Sequence, residues 1–284
     1  STLRGLEAQV QEQGGSPEQL ELLGRLRVMH DAQRNAYKEN PWSAAQRFGR
    51  IGVDAPVVDV TDARMVPGLI QERRKQIDSV ETMANRPVSP LQPDEAVSFV
   101  GKLRMMEAAD QAKILAASTE GLTLGQVNAL GDQLKALNPG VGVALKLGSD
   151  KTNAGRLAQE LVLRGARAIG DKTVQKDDAA LTGWRAEISA FVRGAVGSEE
   201  AERDIIDAAF YVRAAQDLDG IKSPGFSRGI GSGAEDALAM VAGRPITRQG
   251  VKTLLPRGMT EDTFDDAMQT AAKAQIQQLT PTGK

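Results

Sequence analysis

The chain contains no cysteine, a single histidine and few aromatic residues, 4% of the total. Without thiols, disulfides, thiolate zinc sites, iron–sulfur clusters and cysteine nucleophiles are all excluded. With His30 as the one imidazole, a multi-histidine metal site is excluded as well, and any Ser-His-Asp triad would have to use it. Neither sign of charge dominates: 35 Lys and Arg against 37 Asp and Glu leave −2, which carries no global nucleic-acid signature. Long apolar runs are also missing. The run Val141-Gly142-Val143-Ala144-Leu145 is closed by Lys146, far short of the roughly 18 residues of a membrane span. What is present is an ordinary globular balance over 284 residues, 41% hydrophobic and 25% charged, enough for one large domain or two small ones. The chain opens at Ser1 without a basic-then-apolar leader and closes on polar residues, as an excised piece of a longer protein would.

Helix signals recur along the sequence. Ser16-Pro17-Glu18-Gln19 supplies a cap, a proline at the first helical position and a capping-box Gln. Behind it Leu22, Leu26, Met29, Gln33 and Tyr37 form one stripe at helical spacing, stopped by Asn40-Pro41. Another helix starts near Pro67. The stretch Arg86-Pro87-Val88-Ser89-Pro90-Leu91-Gln92-Pro93 cannot be helical, because its prolines remove donors and push their predecessors to extended geometry. It divides an N-terminal helical segment, 1–86, from a main helical domain, 87–284. Phe99, Leu103 and Met106 mark a helix expected to run to Ala117, and Thr123 with Gln126 caps the next. Ala154, Ala158, Leu161, Gly165 and Ile169 give a face of small and aliphatic residues that allows a neighbouring helix to approach closely. Leu181, Trp184, Ile188 and Phe191 are expected to surround a buried Trp184, and Ser198 caps a helix whose Ile205, Ile206, Ala209, Phe210 and Val212 suit a central position.

From Asp217 to Gly233 glycines and a proline break the pattern. Ile246-Thr247 and Val251-Lys252-Thr253-Leu254 flank Arg248-Gln249-Gly250 and read as a short hairpin, and Thr260 opens a last helix. The expected fold class is therefore mainly all-α, an array of short helices with one small β-hairpin near 245–255.

Few motifs carry chemistry. Gly225-Phe226-Ser227-Arg228-Gly229 matches a nucleophile elbow, yet Lys222-Ser223-Pro224 precedes it in place of a buried strand and the histidine lies upstream. Gly229-Ile230-Gly231-Ser232-Gly233 lacks the strand and the Gly-Lys-Ser/Thr ending of a phosphate loop, and Asp217-Leu218-Asp219-Gly220 lacks calcium-loop spacing. Glu261, Asp262, Asp265 and Asp266 cluster where the macrodipole of a helix start already accounts for them. No catalytic residue, cofactor or metal is expected. The one candidate binding surface for an anionic partner is basic: Arg25, Arg27, Arg34, Lys38, Arg47 and Arg50 against Asp31 and Glu39. Tyr37, Trp42 and Phe48 interleave with it, and such faces are usually no more than solvated.

The order of several phrases resembles the helical region of large virion-associated proteins of tailed bacteriophages and prophages, the internal or tail "ejection" proteins. These phrases are Asn40-Pro41 before Ala45-Gln46-Arg47-Phe48-Gly49, then Pro56-Val57-Val58-Asp59-Val60-Thr61-Asp62, then Arg86-Pro87-Val88-Ser89-Pro90-Leu91 with Asp94-Glu95-Ala96. Ala154-Gly155-Arg156, Leu163-Arg164-Gly165 and Leu254-Leu255-Pro256-Arg257-Gly258-Met259-Thr260 with Asp262-Thr263-Phe264 complete the series. The resemblance covers residues 38–270. It implies a non-enzymatic structural or interaction segment related to genome delivery, located in the virion, or in the host bacterial cytoplasm before assembly. The partners it implies are other virion proteins, the rest of a longer parent chain or further copies of itself. Some similar proteins carry a lytic transglycosylase domain elsewhere, whose signature of Glu followed by Ser is absent here. Two other readings stand beside it: a regulatory or scaffold domain that binds nucleic acid or an acidic partner through residues 25–50, and a lysozyme-like hydrolase.

Overall fold

The computed structural model describes all residues except 1, 13, 50, 51, 149–151, 220–232, 249, 257 and 280–284. Among the described residues the regular secondary structure is helical apart from one two-stranded sheet, the mainly all-α fold with a small hairpin that its periodicity predicts. The chain folds as two compact units, residues 1–102 with 121–133 and residues 103–120 with 134–284.

The first unit holds α1 (Thr2–Glu12), α2 (Pro17–Glu39), α3 (Pro41–Phe48), α4 (Val66–Ala84) and the larger parts of α5 (Pro93–Arg104) and α7 (Leu124–Leu137). Ser16 and Gln19 close a reciprocal capping box at α2, and the Asn40 side chain accepts from the Ser43 N–H to start α3. Thr123 and Gln126 make the same reciprocal pair at α7. The stripe along α2 is not a core face. Leu22 and Met29 are 58% and 68% exposed, and only Tyr37 at the end of the helix is buried. It joins Trp42, Ala45, Val53, Ile77, Val80 and Val88 in a core cluster. Trp42 is fully buried, and its indole N–H donates to the Ser89 carbonyl at 2.7 Å, so its polar atom is satisfied.

Around that cluster the chain is held by one buried ion pair. Arg73 of α4 and Glu95 of α5 face each other with both Nη atoms on the carboxylate, and their side chains are 5% and 0% exposed. Arg73 also donates to the carbonyls of Pro56 and Pro90, while Glu95 accepts from the Val58 and Gln92 N–H groups. Gln92 in turn donates to the Ala55 carbonyl at 2.6 Å. The non-helical stretches 52–60 and 87–92, whose backbone groups have no helix to satisfy them, find their partners here.

The second unit contains α6 (Ala108–Ser118), α8 (Pro139–Leu147), α9 (Asn153–Gly170), α10 (Asp178–Val192), α11 (Glu199–Asp219), α12 (Gly233–Val241), β1 (Arg244–Arg248), β2 (Val251–Leu255) and α13 (Glu261–Leu279). The helix expected from Phe99 to Ala117 is in fact two, α5 and α6. Glu107 takes extended geometry (φ −66°, ψ 148°) between them, and the carbonyls of Arg104 and Met106 freed by the break accept from the Arg167 guanidinium. Val141, Val143, Ala144 and Leu145 make α8 an interior helix.

α9 and α11 pack closely through small residues: Ala158, Ala208, Ala214 and Ala215 are all fully buried, and a Cβ placed on Gly165 would collide with the Tyr211 carbonyl. Trp184 is only half-buried. With Leu181 it packs against the buried cluster of Ala168, Val174 and Ala214, the Arg213 guanidinium 4.7 Å from its ring centroid, while Trp42 is the tryptophan that is fully buried. β1 and β2 pair antiparallel with Arg248 opposite Val251, and Gly250 takes φ +80°, the left-handed geometry a tight hairpin turn requires.

Two substitutions test this packing. Gly165→Ala is expected to cost about 1–3 kcal/mol by overpacking the α9–α11 contact, read as a lowered midpoint in denaturant unfolding; an unchanged midpoint would show that the helices are not in contact there. Glu95→Gln is expected to cost about 3–5 kcal/mol because Arg73 stays buried without its counter-charge. Replacing both residues by apolar ones should recover most of that loss, and equal losses for the single and double variants would count against the pairing.

Candidate functional site

The sequence-derived basic residues lie in the first unit, on α2 and α3. Arg25 pairs with Glu21 one turn earlier at 2.6 Å, and Arg27 pairs with Glu7 of α1 at 2.6 Å. The Arg47 guanidinium lies 5.0 Å from the Phe48 ring centroid. Arg34 and Lys38 are exposed, and Arg50 lies outside the described residues. At helical spacing Arg27, Arg34 and Lys38 share one face of α2, whereas Arg25 is on the opposite face. On α2 the row is therefore Arg27, Arg34 and Lys38, of which Arg27 is paired with Glu7.

His30 is exposed on α2 with its Nδ1 3.5 Å from Asp31. The Gly225–Gly229 and Gly229–Gly233 glycine motifs lie outside the described residues but for Gly233, the first residue of α12, as does Gly220; Asp217, Leu218 and Asp219, expected in a loop, are instead the last residues of α11. Of the acids at the start of α13, Glu261 pairs with Arg244 at 3.0 Å and Asp265 with Arg248 at 2.5 Å. Among the described residues no three His, Asp or Glu side chains converge as metal ligands would.

Two features of the second unit escape a reading of single motifs. One is a charged cluster where α7, α8 and α10 meet α11. Lys135 Nζ stands 2.6 Å from Asp204 and 3.2 Å from Asp207, while Lys146 Nζ stands 2.6 Å from Asp204 and 3.3 Å from Glu200. Arg185 reaches Asp207 at 2.7 Å and lies over the Phe210 ring at 4.3 Å. Glu200, Asp204, Asp207 and Tyr211 follow i, i+4, i+7, i+11 spacing, a polar stripe along one face of α11 that could have been noticed in the sequence. Burial pushes the Asp204 carboxyl up, but hydrogen bonds and charge from Lys135 and Lys146 outweigh it and hold the group below its ordinary value. Burial pulls Lys135 down, and Asp204 with Asp207 more than restores it. Tyr211 is raised, chiefly by burial and then by Asp207. Carboxylates matched to cations in this way clasp the helices together.

The other feature is a cavity of about 730 Å³ at the start of α9, bounded by α12, the hairpin and the turn into α13. Its walls include Ala154, Leu157, Met240, Leu255, Pro256 and Met259, and its polar members Arg244, Thr260 and Glu261 adjoin one another.

The clasp gives a pH signature. Because the folded Asp204 value is lowered, its stabilisation is complete above the ordinary carboxylate value and is lost as pH falls through the lowered one. Lys135 and Tyr211, both raised, contribute stability that is lost as pH rises through their folded values. Asp204→Asn is expected to lower stability at neutral pH by about 1–3 kcal/mol, with the gap to the parent chain closing in strong acid. A gap that persists there in urea titrations would show that the carboxylate's charge is not what holds the helices. Compared with known proteins, the chain matches no family profile, no curated protein and no solved structure.

Proposed function

We propose that the chain is a non-enzymatic interaction segment of a larger assembly, and that the assembly is the virion of a tailed bacteriophage or prophage. One observation carries the first half of the reading: α2 bears Leu22, Val28 and Met29 at 58%, 71% and 68% exposure, and α13 bears Met268 at 56%. Leu22 and Met29, seven residues apart, share one face of α2, and exposed apolar side chains on a helix face suit burial against another chain. The second half rests on the order of phrases from Asn40-Pro41 to Leu254-Leu255-Pro256, which supports a virion protein taking part in genome delivery. A chain of short helices without cysteines also suits passage through a narrow channel, since it can open and refold without disulfide trapping.

Binding of nucleic acid or an acidic partner is the second reading, favoured by the row Arg27, Arg34 and Lys38 on one face of α2. Retention on DNA that falls steeply with added salt would support it.

The test uses particles. Leu22→Glu with Met29→Glu is expected to leave the unfolding midpoint of the purified chain within the small range of surface changes, about 0.5 kcal/mol, while removing the protein from purified virions as read by mass spectrometry. A source frame lying among metabolic genes, with no peptide of the chain in any particle, would overturn the virion reading. Release of peptidoglycan fragments by the chain, abolished by one Glu→Gln change, would replace it with the hydrolase.

A further inference from the structure

We propose that the cavity at the start of α9 is a binding site for one long-chain aliphatic carboxylate, the chain lodged among its apolar walls and the head group on Arg244. This inference concerns the second unit alone and stands apart from the virion reading.

The walls argue for a flexible apolar chain. The lining side chains Leu157, Met240, Leu255 and Met259 are aliphatic or thioether, Ala154 and Pro256 add small apolar surface, and among the described residues no aromatic ring lines the cavity. The two methionines can adjust to a chain of variable shape. A volume of about 730 Å³ lies within the range of small-molecule sites. Leu157 and Met259 are 49% and 42% exposed in the protein alone, apolar area that a bound chain would remove from water.

The polar groups argue for the head. Arg244 and Glu261 are joined by a 3.0 Å bond and Thr260 precedes Glu261 in the chain, so polarity is concentrated in one place. The Arg244 side chain is 62% exposed and gives Nη2 to Glu261, and a guanidinium with five donors retains enough to bind a second carboxylate. Glu261 is shared with Arg248 at 3.5 Å, and Arg248 also holds Asp265, so these two carboxylates are matched by two arginines. An anionic head meets cations with their repulsive neighbours tied down. A cationic head would find those carboxylates occupied, and a second large apolar partner would leave Arg244 covered without a new counter-charge.

Delipidated full-length chain is titrated with hexadecanoate below its micelle concentration, by native mass spectrometry and by calorimetry. One molecule per chain is the expected result. Leu157→Trp and Met259→Trp, both at exposed positions, should each weaken binding at least tenfold by filling the cavity, with circular dichroism confirming the fold. Should one of them unfold, the other carries the test. Arg244→Gln should weaken hexadecanoate about tenfold and leave hexadecanol unchanged, which separates recognition of the head from burial of the chain. Three results overturn the proposal: no saturable one-to-one complex, equal affinity in the cavity-filling variants, or association with phosphatidylglycerol vesicles but not with the monomeric carboxylate. A concentration-dependent dimer that excludes hexadecanoate would assign the cavity to a second copy and overturn it as well.

Discussion

The buried pairing of Arg73 with Glu95 is the constraint on which the first unit depends. A charge taken out of water is costly unless every lone pair and proton around it finds a partner, and here the carboxylate receives the guanidinium and two backbone N–H groups. The guanidinium in turn satisfies the Pro56 and Pro90 carbonyls and stands 5.5 Å from the Trp42 ring centroid. Two irregular segments that no helix could hold are thereby given fixed places against α4 and α5. Stability alone does not explain such a pair, because apolar residues of similar size would pack as well. Its effect is positional: the extended stretch 52–60 has one partner set that satisfies it, and this defines where Val53, Ala55 and Val60 enter the interior.

The second unit solves the same problem in the opposite order. Its centre is apolar and close-packed, with α8 interior and α9 against α11 at backbone contact distance, and its charges sit towards the edge, where Lys135 and Lys146 tie α7 and α8 to α11. Partial exposure lets water share in solvating these ions, so the clasp costs less to form than the Arg73–Glu95 pair and holds less firmly. Acid should therefore loosen the second unit at its helix ends while the Gly165 contact persists.

Local signals in the sequence translated well into structure. The capping boxes at Ser16 and Thr123, the Asn40-Pro41 junction, the hairpin around Gly250 and the small-residue face of α9 are all written in residues within a turn or two of one another, where geometry is decided by the chain's own neighbours. The signals that failed depended on distant partners. Periodicity alone could not tell that the stripe on α2 meets solvent, nor that Arg167 would accept the task of capping a break between α5 and α6. The Arg73–Glu95 pair is 22 residues apart in sequence, and nothing in either neighbourhood marks it. Trp42 and Trp184 look alike in their apolar surroundings, yet Trp42 is fully enclosed, with its indole N–H on the Ser89 carbonyl, while Trp184 is half-buried with the Arg213 guanidinium against its ring.

The candidate sites were less legible than the fold for a related reason. Composition located basic residues on α2, but charge counting treats each as free, and the structure spends Arg25 and Arg27 on Glu21 and Glu7. The cavity in the second unit is assembled from residues between 154 and 261, none belonging to a recognisable motif, so only the folded chain brings Leu157, Leu255 and Met259 to one wall. Polar side chains in both units are used against each other, in the Arg73–Glu95 pair and in the α11 clasp, which leaves the apolar surfaces as the places with unmet demand. Leu22 and Met29 on α2, Met268 on α13 and the walls of the cavity are such surfaces, and they differ in kind. A convex helix face can be covered only by something at least as large as itself, a further protein chain, whereas a concave site bounded by four segments admits a single small molecule. The proposed assembly contact and the proposed ligand would therefore use different residues of this chain.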